Sequence, residues 1–379
     1  MTDVSAERIA EKLFTKSDLD ETQQYELMAF AVAQLCTGTR PSKIYRMMVE
    51  AFPELQGQLN RETPMNLILL AASKGYLEFQ APFKNQLGWM LAHESGWADG
   101  SIAVVHSREL EHLARETAKE LLKQIRQFRT FGNLRTVHIG FAGGRLLRLV
   151  AKNLADLLQT PSPQNPDKLV FHAMVAAFNE NDFESDPNNF ITYFLQKPMP
   201  IDISFIPIAA PGIVEVKHRK ELRKFREIEG VYKAARKLNI IVSSGGDWAD
   251  AHSTTQRYLQ EVDQSDVDAL REYPAIGDLL WQPISAEGPI DMDGGDFTFR
   301  PNTLVDLSEI PSAIEERGLR VLLALGTCGR CGKPKGNLLN TILGLDQQLV
   351  TDVVTNSPTA YDALKLRWNA SPPNVRKTK

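Results

Sequence analysis

The side chains and glycines best suited to hold a small ligand fall in four short loops. In RTVHIG-FAGG-RLLRLVAKNL, an apolar strand pattern runs into a glycine-rich turn and then a helical pattern. Gly140, Gly143 and Gly144 would let backbone N–H groups approach an anion at the start of the helix near Arg145, and the same glycines suit a tight strand-to-helix turn. The spacing is neither G-x-G-x-x-G nor a Walker loop, so it indicates neither a dinucleotide nor a nucleoside triphosphate. In IVSSGGDWADAHSTT, Ser243, Ser244, Gly245, Gly246 and Asp247 can bond sugar hydroxyls or simply make a polar turn. In YPAIGDLL, Gly277 and Asp278 precede an apolar run, where the carboxylate can accept from a hydroxyl or cap a helix. In LGTCGRCGKPKGNLLNTIL, Lys333 and Lys335 stand near a helix start, where the dipole disfavours a cation unless an anion joins it.

Other chemistries are weakly represented. Cys328 and Cys331 form C-x-x-C, but with Cys36 the only other cysteine they cannot make a four-cysteine zinc site. They read as ordinary loop thiols, with a mixed site using distant histidines left open, so no metal ligand is assigned. DMDGGD, from Asp291, has glycine at the fifth position of a calcium loop and lacks the closing glutamate, so it reads as a turn. No Ser-His-Asp elbow or H-E-x-x-H site is present. Asp247, Asp278 and His252 are the groups that keep a sugar-phosphate isomerase or deaminase reading alive. No catalytic residue and no cofactor is assigned.

These loops must be positioned by regular elements. From Leu134 onward, RTVHIG, KLVFHAMV, DISFIPI, NIIVSSGG, LRVLLAL and QLVTDVVT alternate with helical stretches, which predicts a parallel sheet covered on both faces. KHRKELRKFREIEGVYKAARKL reads as a helix burying Leu222, Phe225, Ile228 and Val231 and presenting its charges to solvent. Before Leu134, apolar positions recur at helical spacing: Leu27, Phe30, Ala31 and Leu35, then Ile44, Met47, Met48 and Ala51. A third helix starts at Thr63 with Pro64 behind it, followed by the strand-like GYLEF, which makes a winged-helix-like unit. His106 to Phe128 reads as a connecting helix. The 379 residues are 43% hydrophobic with a net charge of −4, enough for two or more domains and without a global attraction for phosphate backbones. The first 20 residues lack a signal-like apolar core, and no run of about 18 apolar residues appears, so a cytoplasmic chain with no membrane partner is expected.

The order of these pieces resembles the SorC family of sugar-responsive transcription regulators, over about residues 27 to 366. LNRETPMNLILLAASKGYLEF is similar to the family's recognition helix and wing, and HIGFAGGRLL to its phosphate loop, with Gly140 and Phe141 matching and Gly144 standing where a hydroxyl residue is usual. IPIAAPGIVEV, SSGGD, IGDLLWQPISAEG, LLALGTCGRCGKPKGNLLNTIL and VVTNSPTAYDAL resemble the later motifs in order, and place Lys335 at the family's lysine. The resemblance implies an α/β protein: an N-terminal helical, winged-helix-like DNA-binding unit, then a doubly wound, mostly parallel effector domain. The expected boundaries are residues 1–90, a linker helix region at 91–130, the effector domain at 131–368 and a basic tail at 369–379. It further implies a sugar or sugar-phosphate effector held by Gly140, Phe141, Gly143, Gly144, Arg145, Gly246, Asp247, Gly277, Asp278 and Lys335, and homo-oligomers, dimers or tetramers, that bind a double-stranded DNA operator. Arg145 can pair with phosphate in place of the missing loop hydroxyl. Base and phosphate contacts would come from Lys43, Arg46, Asn60, Arg61, Thr63 and Asn66, a set short of cations. A sugar sensor that acts on a protein partner instead of DNA is the rival reading.

Overall fold

The computed structural model describes residues 20–37, 39–73, 82–176, 183–253, 255–257, 268, 274–293 and 297–370. The chain divides into two compact units, Met1–Gln80 and Ala81–Lys379.

Among the described residues the first unit has the helices Glu21–Cys36, Pro41–Ala51 and Thr63–Ser73, with a short 3-10 turn at Pro53–Leu55. Asp20 starts the first helix through a capping box: its carboxylate accepts from the Gln23 amide at 2.8 Å, and the Gln23 side chain accepts from the Asp20 amide at 3.1 Å. Pro41 opens the second helix, where its fixed φ costs no hydrogen bond. Leu27, Ala31, Ile44, Met48 and Leu67 converge in a core of their own, and Phe30 meets Phe52 edge to face at 5.5 Å. The predicted GYLEF wing lies outside the described residues.

The second unit is built on a seven-stranded parallel sheet. Its strands are β1 (Ile102–Val105), β2 (Thr136–Phe141), β3 (Lys168–Ala173), β4 (Asp202–Ile206), β6 (Ile240–Ser243), β12 (Arg320–Leu325) and β13 (Asp352–Asn356), in the order β1-β13-β12-β6-β2-β3-β4. Every residue of β6 and β13 is buried, so both faces of the sheet are covered. A four-stranded antiparallel sheet stands beside it, from β7 (Gly245–Asp247), β8 (Gly277–Leu279), β9 (Gln282–Ser285) and β10 (Gly288–Pro289). β5 (Ile213–Glu215) pairs with β11 (Phe299–Pro301). This is the α/β class expected. The strand β1, the antiparallel sheet and the β5–β11 pair are additions to the sequence reading. No helix among the described residues is long and apolar enough to cross a membrane.

Two segments differ from expectation. The helix read as a linker, Leu110–Thr130, buries Leu113, Ala118, Leu121 and Ile125 in the core of the second unit. The basic stretch after Val216 forms two helices, Val216–Leu222 and Arg226–Ala235, and Phe225 between them is 60% exposed. Charge explains the break. Arg219 is buried, donating to Asp293 at 3.0 Å and to Asp306, while Arg300 reaches the same two carboxylates at 2.6 and 2.9 Å. Those ion pairs draw the first helix inward on a face that a solvated amphipathic helix would leave to water.

Within the sheet His138 on β2 and His172 on β3 are diagonal neighbours, with Nδ1 of one 2.9 Å from Nε2 of the other. Burial, then the neighbouring His138 and Lys237, lower the pKa of His172 from 6.5 to about 4. Its folded value lies below the unfolded one, so this contribution to stability is complete above about pH 6.5 and is lost as pH falls toward 4. Lowering pH from 7 to 5 should cost about 2 kcal/mol through this group. Urea midpoints at the two pH values should show that drop, and His172→Leu should remove most of it; an unchanged pH dependence in the variant would exonerate the pair.

Candidate functional site

Strand order decides where a ligand can sit. From the centre of the sheet β2 leads outward to β3 and β4, whereas β6 leads the other way to β12 and β13. The loops after β2, β6 and β12 therefore meet at a switch point, the usual binding crevice of a doubly wound sheet. A cavity of about 120 Å³ lies there, and it is lined from all three loops.

The loop after β2 contributes Gly143, Gly144 and Arg145. Gly144 has φ 118° and ψ 156°, a conformation open to glycine and costly for other residues, and it caps the helix Arg145–Leu158. The Gly144 amide donates to the Ser185 carbonyl at 2.8 Å, so the loop is fixed from behind and the first helical turn faces the cavity. Arg145 is exposed at the rim. Gly140 and Phe141 do not line the cavity. A Cβ on Gly140 would lie 2.2 Å from the Met174 sulfur, and Phe141 is buried against Phe171 and Phe190. These two residues shape the sheet beneath the loop.

The segment after β6 becomes β7, which pairs antiparallel with β8 so that Gly246 faces Asp278. A side chain at Gly246 would come within 2.3 Å of the Asp278 carboxylate, so only glycine permits this pairing. Asp278 is 2% exposed and accepts from the Trp248 indole at 2.9 Å, the Thr255 hydroxyl at 3.0 Å and the Ser253 hydroxyl at 3.4 Å. Burial pushes its carboxyl upward, and the Trp248 and Thr255 bonds oppose that rise. Asp247 is likewise raised by burial; it accepts from the amides of Ala249 at 3.0 Å and Leu338 at 3.4 Å. The second of these places its carboxylate at the N-terminus of the helix Gly336–Gly344. Gly277 lies opposite Asp247 on β8 and is not part of the lining.

Lys335 enters from the loop after β12 and donates to the Gly245 carbonyl at 2.7 Å. Burial pulls its ammonium downward, opposed by Asp278, Cys328, Asp250 and Asp247. The cation expected to need a bound anion thus already has protein carboxylates around it. Two of its three donors remain for a ligand oxygen. The cavity wall also holds Trp281, Ser253, Thr255 and Thr327, which sequence reasoning did not single out. Trp281 follows Leu280 in a two-residue hairpin turn, and both have positive φ, 63° and 50°. Non-glycine residues rarely hold that conformation without a compensating role, so a Leu-Trp pair at the tip of a hairpin was the available signal.

In the first unit Lys43, Arg46 and Arg61 are exposed. Asn60 is engaged in the chain itself: its side-chain oxygen accepts from the backbone amides of Glu62 at 2.9 Å and Thr63 at 3.0 Å, and its backbone amide donates to the Thr63 hydroxyl at 2.9 Å. Thr63 is 1% exposed, and Asn66 is half-buried. Asn60 and Thr63 therefore start the third helix, while Met65 and Leu69 lie exposed on its outer face.

No family model and no curated protein matches the chain. Solved structures do. The full-length sorbitol operon regulator SorC from Klebsiella pneumoniae aligns at TM-score 0.60 and 14% identity, covering 90% of this chain and 98% of that one. A domain of a possible sugar-binding transcriptional regulator from Arthrobacter aurescens TC1 aligns at 0.52 and 16% identity, over 74% of this chain and 96% of that one. A DeoR family transcriptional regulator from Listeria monocytogenes gives 0.51 and 18%, over 73% and 98%. At these identities the likeness establishes the fold.

The bonding of Asp278 makes a direct prediction. Asp278→Asn would set an amide N–H₂ or a single oxygen against three donors, so stability should fall by roughly 1–3 kcal/mol in a urea titration. A variant as stable as the parent would mean that the carboxylate is not held by Trp248, Thr255 and Ser253.

Proposed function

We propose that this chain is a transcription regulator responsive to a sugar or sugar phosphate, with the effector taken up by the switch-point cavity of the second unit and DNA by the helices of the first. The observation that carries the reading is the cavity itself. The loops after β2 and β12 and the β8–β9 hairpin bring the first turn of a helix, the exposed Arg145, Lys335 and Trp281 to one small space. Helix amides and two cations suit a phosphate, hydroxyl-bonding groups such as Ser244 and Thr327 suit a polyol, and an indole offers an apolar face to a sugar ring. The full-length SorC regulator aligns over 90% of this chain, more than the second unit alone spans, which supports assigning the two tasks to the two units.

The role is regulatory and non-catalytic in this reading. Asp278 has its oxygens engaged by Trp248, Thr255 and Ser253, and the His252 ring lies against Asp250 at 3.0 Å, so neither is poised as a free base above the cavity. Arg61, Lys43 and Arg46 would hold operator phosphates and Asn66 a base edge. A cytoplasmic homo-oligomer is the form in which such few cations suffice, because linked sites bind at high effective concentration. Operator and effector would then change each other's affinity by the same factor. One observation favours a second reading, a sensor acting on a protein: the outer face of the third helix presents Met65 and Leu69, 42% and 47% exposed.

A thermal-shift series against free and phosphorylated sugars should find a ligand that raises the transition. Lys335→Ala should then weaken the phosphorylated ligand by tenfold or more, about 1.4 kcal/mol, and its unphosphorylated sugar far less. Equal losses would remove the lysine from phosphate binding. DNA retention should decline with salt on a log-log plot and Arg61→Ala should reduce the slope. Binding without salt dependence, or none, would favour the protein-partner reading.

A further inference from the structure

Beside the cavity, two segments distant in sequence bring four metal-ligating side chains together. Asp250 and His252 follow β7, and Cys328 and Cys331 lie in the loop after β12. One donor atom from each lies within 4.8 Å of every other. The Cys331 thiol points at Asp250 Oδ1 from 3.6 Å, and His252 Nδ1 is 3.0 Å from the same oxygen. The Asp250 side chain is 6% exposed. The same oxygen, Oδ1, also accepts from the His252 backbone amide at 3.1 Å, which holds the carboxylate in place between the two segments.

The cysteine loop is shaped to match. The Cys328 amide donates to the Lys333 carbonyl and its carbonyl accepts from the Gly332 amide, both at 2.8 Å, and Gly332 turns the chain with φ 71°. This closed turn brings both sulfurs to the Asp250 side. The backbone amides of Arg330 and Cys331 are directed at the Cys328 sulfur and help to fix its position.

We propose that Asp250, His252, Cys328 and Cys331 bind one divalent transition-metal ion of the zinc class. Two sulfurs, one imidazole nitrogen and one carboxylate oxygen form a donor set suited to zinc, whereas calcium and magnesium require oxygen ligands. Donor atoms around tetrahedral zinc lie roughly 3.3–3.8 Å apart, given its bond lengths. The 3.0 and 3.6 Å contacts stand close to that spacing, and the exposed Cys331 side chain can close the widest gap. The ion would tie the loop that carries Lys335 to the segment after β7. It would also form part of the cavity wall, since Asp250, His252 and Cys328 all line that cavity. The proposal is independent of which ligand the cavity takes.

The test uses the full chain, reduced, stripped with a chelator and titrated with cobalt(II), without any sugar. One equivalent should bind with thiolate-to-cobalt charge-transfer absorption and the intense visible bands of a tetrahedral site, and one equivalent of zinc should displace it. Cys331→Ser and His252→Ala, both at accessible side chains, should keep the far-UV dichroism of the metal-free parent and lower cobalt affinity by about tenfold or more. Cys331→Ser should also reduce the charge-transfer intensity. Failure of the reduced parent to take up a stoichiometric equivalent would overturn the proposal. So would uptake that both variants leave unchanged, which would put the metal elsewhere. A disulfide between Cys328 and Cys331 in the isolated chain, with no cobalt binding after reduction, would make the pair a redox device instead. None of these outcomes bears on the sugar response, which is read separately by thermal shift.

Discussion

A seven-stranded parallel sheet buried on both faces leaves a ligand one place to enter, the rim where its strands end. The all-buried strands β6 and β13 leave no room for a site on either face. Because β2 and β6 are neighbours whose connections run in opposite directions, the loops after them separate and leave a crevice. The rest of the second unit follows from that opening. The chain must pass from β2 into a helix within three residues, Ala142 to Gly144, and β7 must leave the sheet immediately after β6 to start a second one. The antiparallel sheet is thus a wall of the crevice, and Trp281 at the tip of its β8–β9 hairpin reaches the same space.

Charge in that crevice is balanced within the protein. Asp247 answers the dipole of the helix Gly336–Gly344, Asp278 is held by an indole and hydroxyls, and Lys335 lies within the field of both carboxylates. In a low-dielectric setting such a network rigidifies what it joins, and here it joins the loop after β12 to β7 through the bond from Lys335 to Gly245. Arg145 at the rim is the cation outside this balance, together with the amides of its helix. In the proposed reading an anion would meet that end first, while the Lys335 end would offer its remaining N–H donors.

Much of this was legible in the sequence. Continuous apolar runs identified β2, β3, β6, β12 and β13, because strands covered on both faces leave a clear pattern, and a shorter apolar run identified the half-buried edge strand β4. β1 escaped notice as four residues at the sheet edge. The glycine loop was read from its strand–turn–helix pattern and Lys335 was singled out by the resemblance, and seven residues expected at the effector site, from Gly143 through Lys335, line one cavity. Gly140, Phe141 and Gly277 do not, since a motif cannot distinguish a residue at the ligand from one packed under the loop. What failed to show was long-range: the break near Phe225 depends on Asp293 and Asp306, and the nearness of Asp250 and His252 to the C-x-x-C pair depends on where β7 leaves the sheet.

The first unit separates stability from surface in a way the sequence concealed. Asn60 and Thr63 bond one another and fix the first turn of the third helix, while Leu67, Ile68, Leu70 and Ala71 hold its inner side. Glu62, Met65, Asn66 and Leu69 recur at i, i+3, i+4 and i+7, so they share the opposite stripe. None of these four belongs to the core. Their identities can therefore change without changing whether the helix folds. The shortage of cations along that stripe is accordingly a property of the helix's outer surface, and the helix beneath it stands on its cap and core.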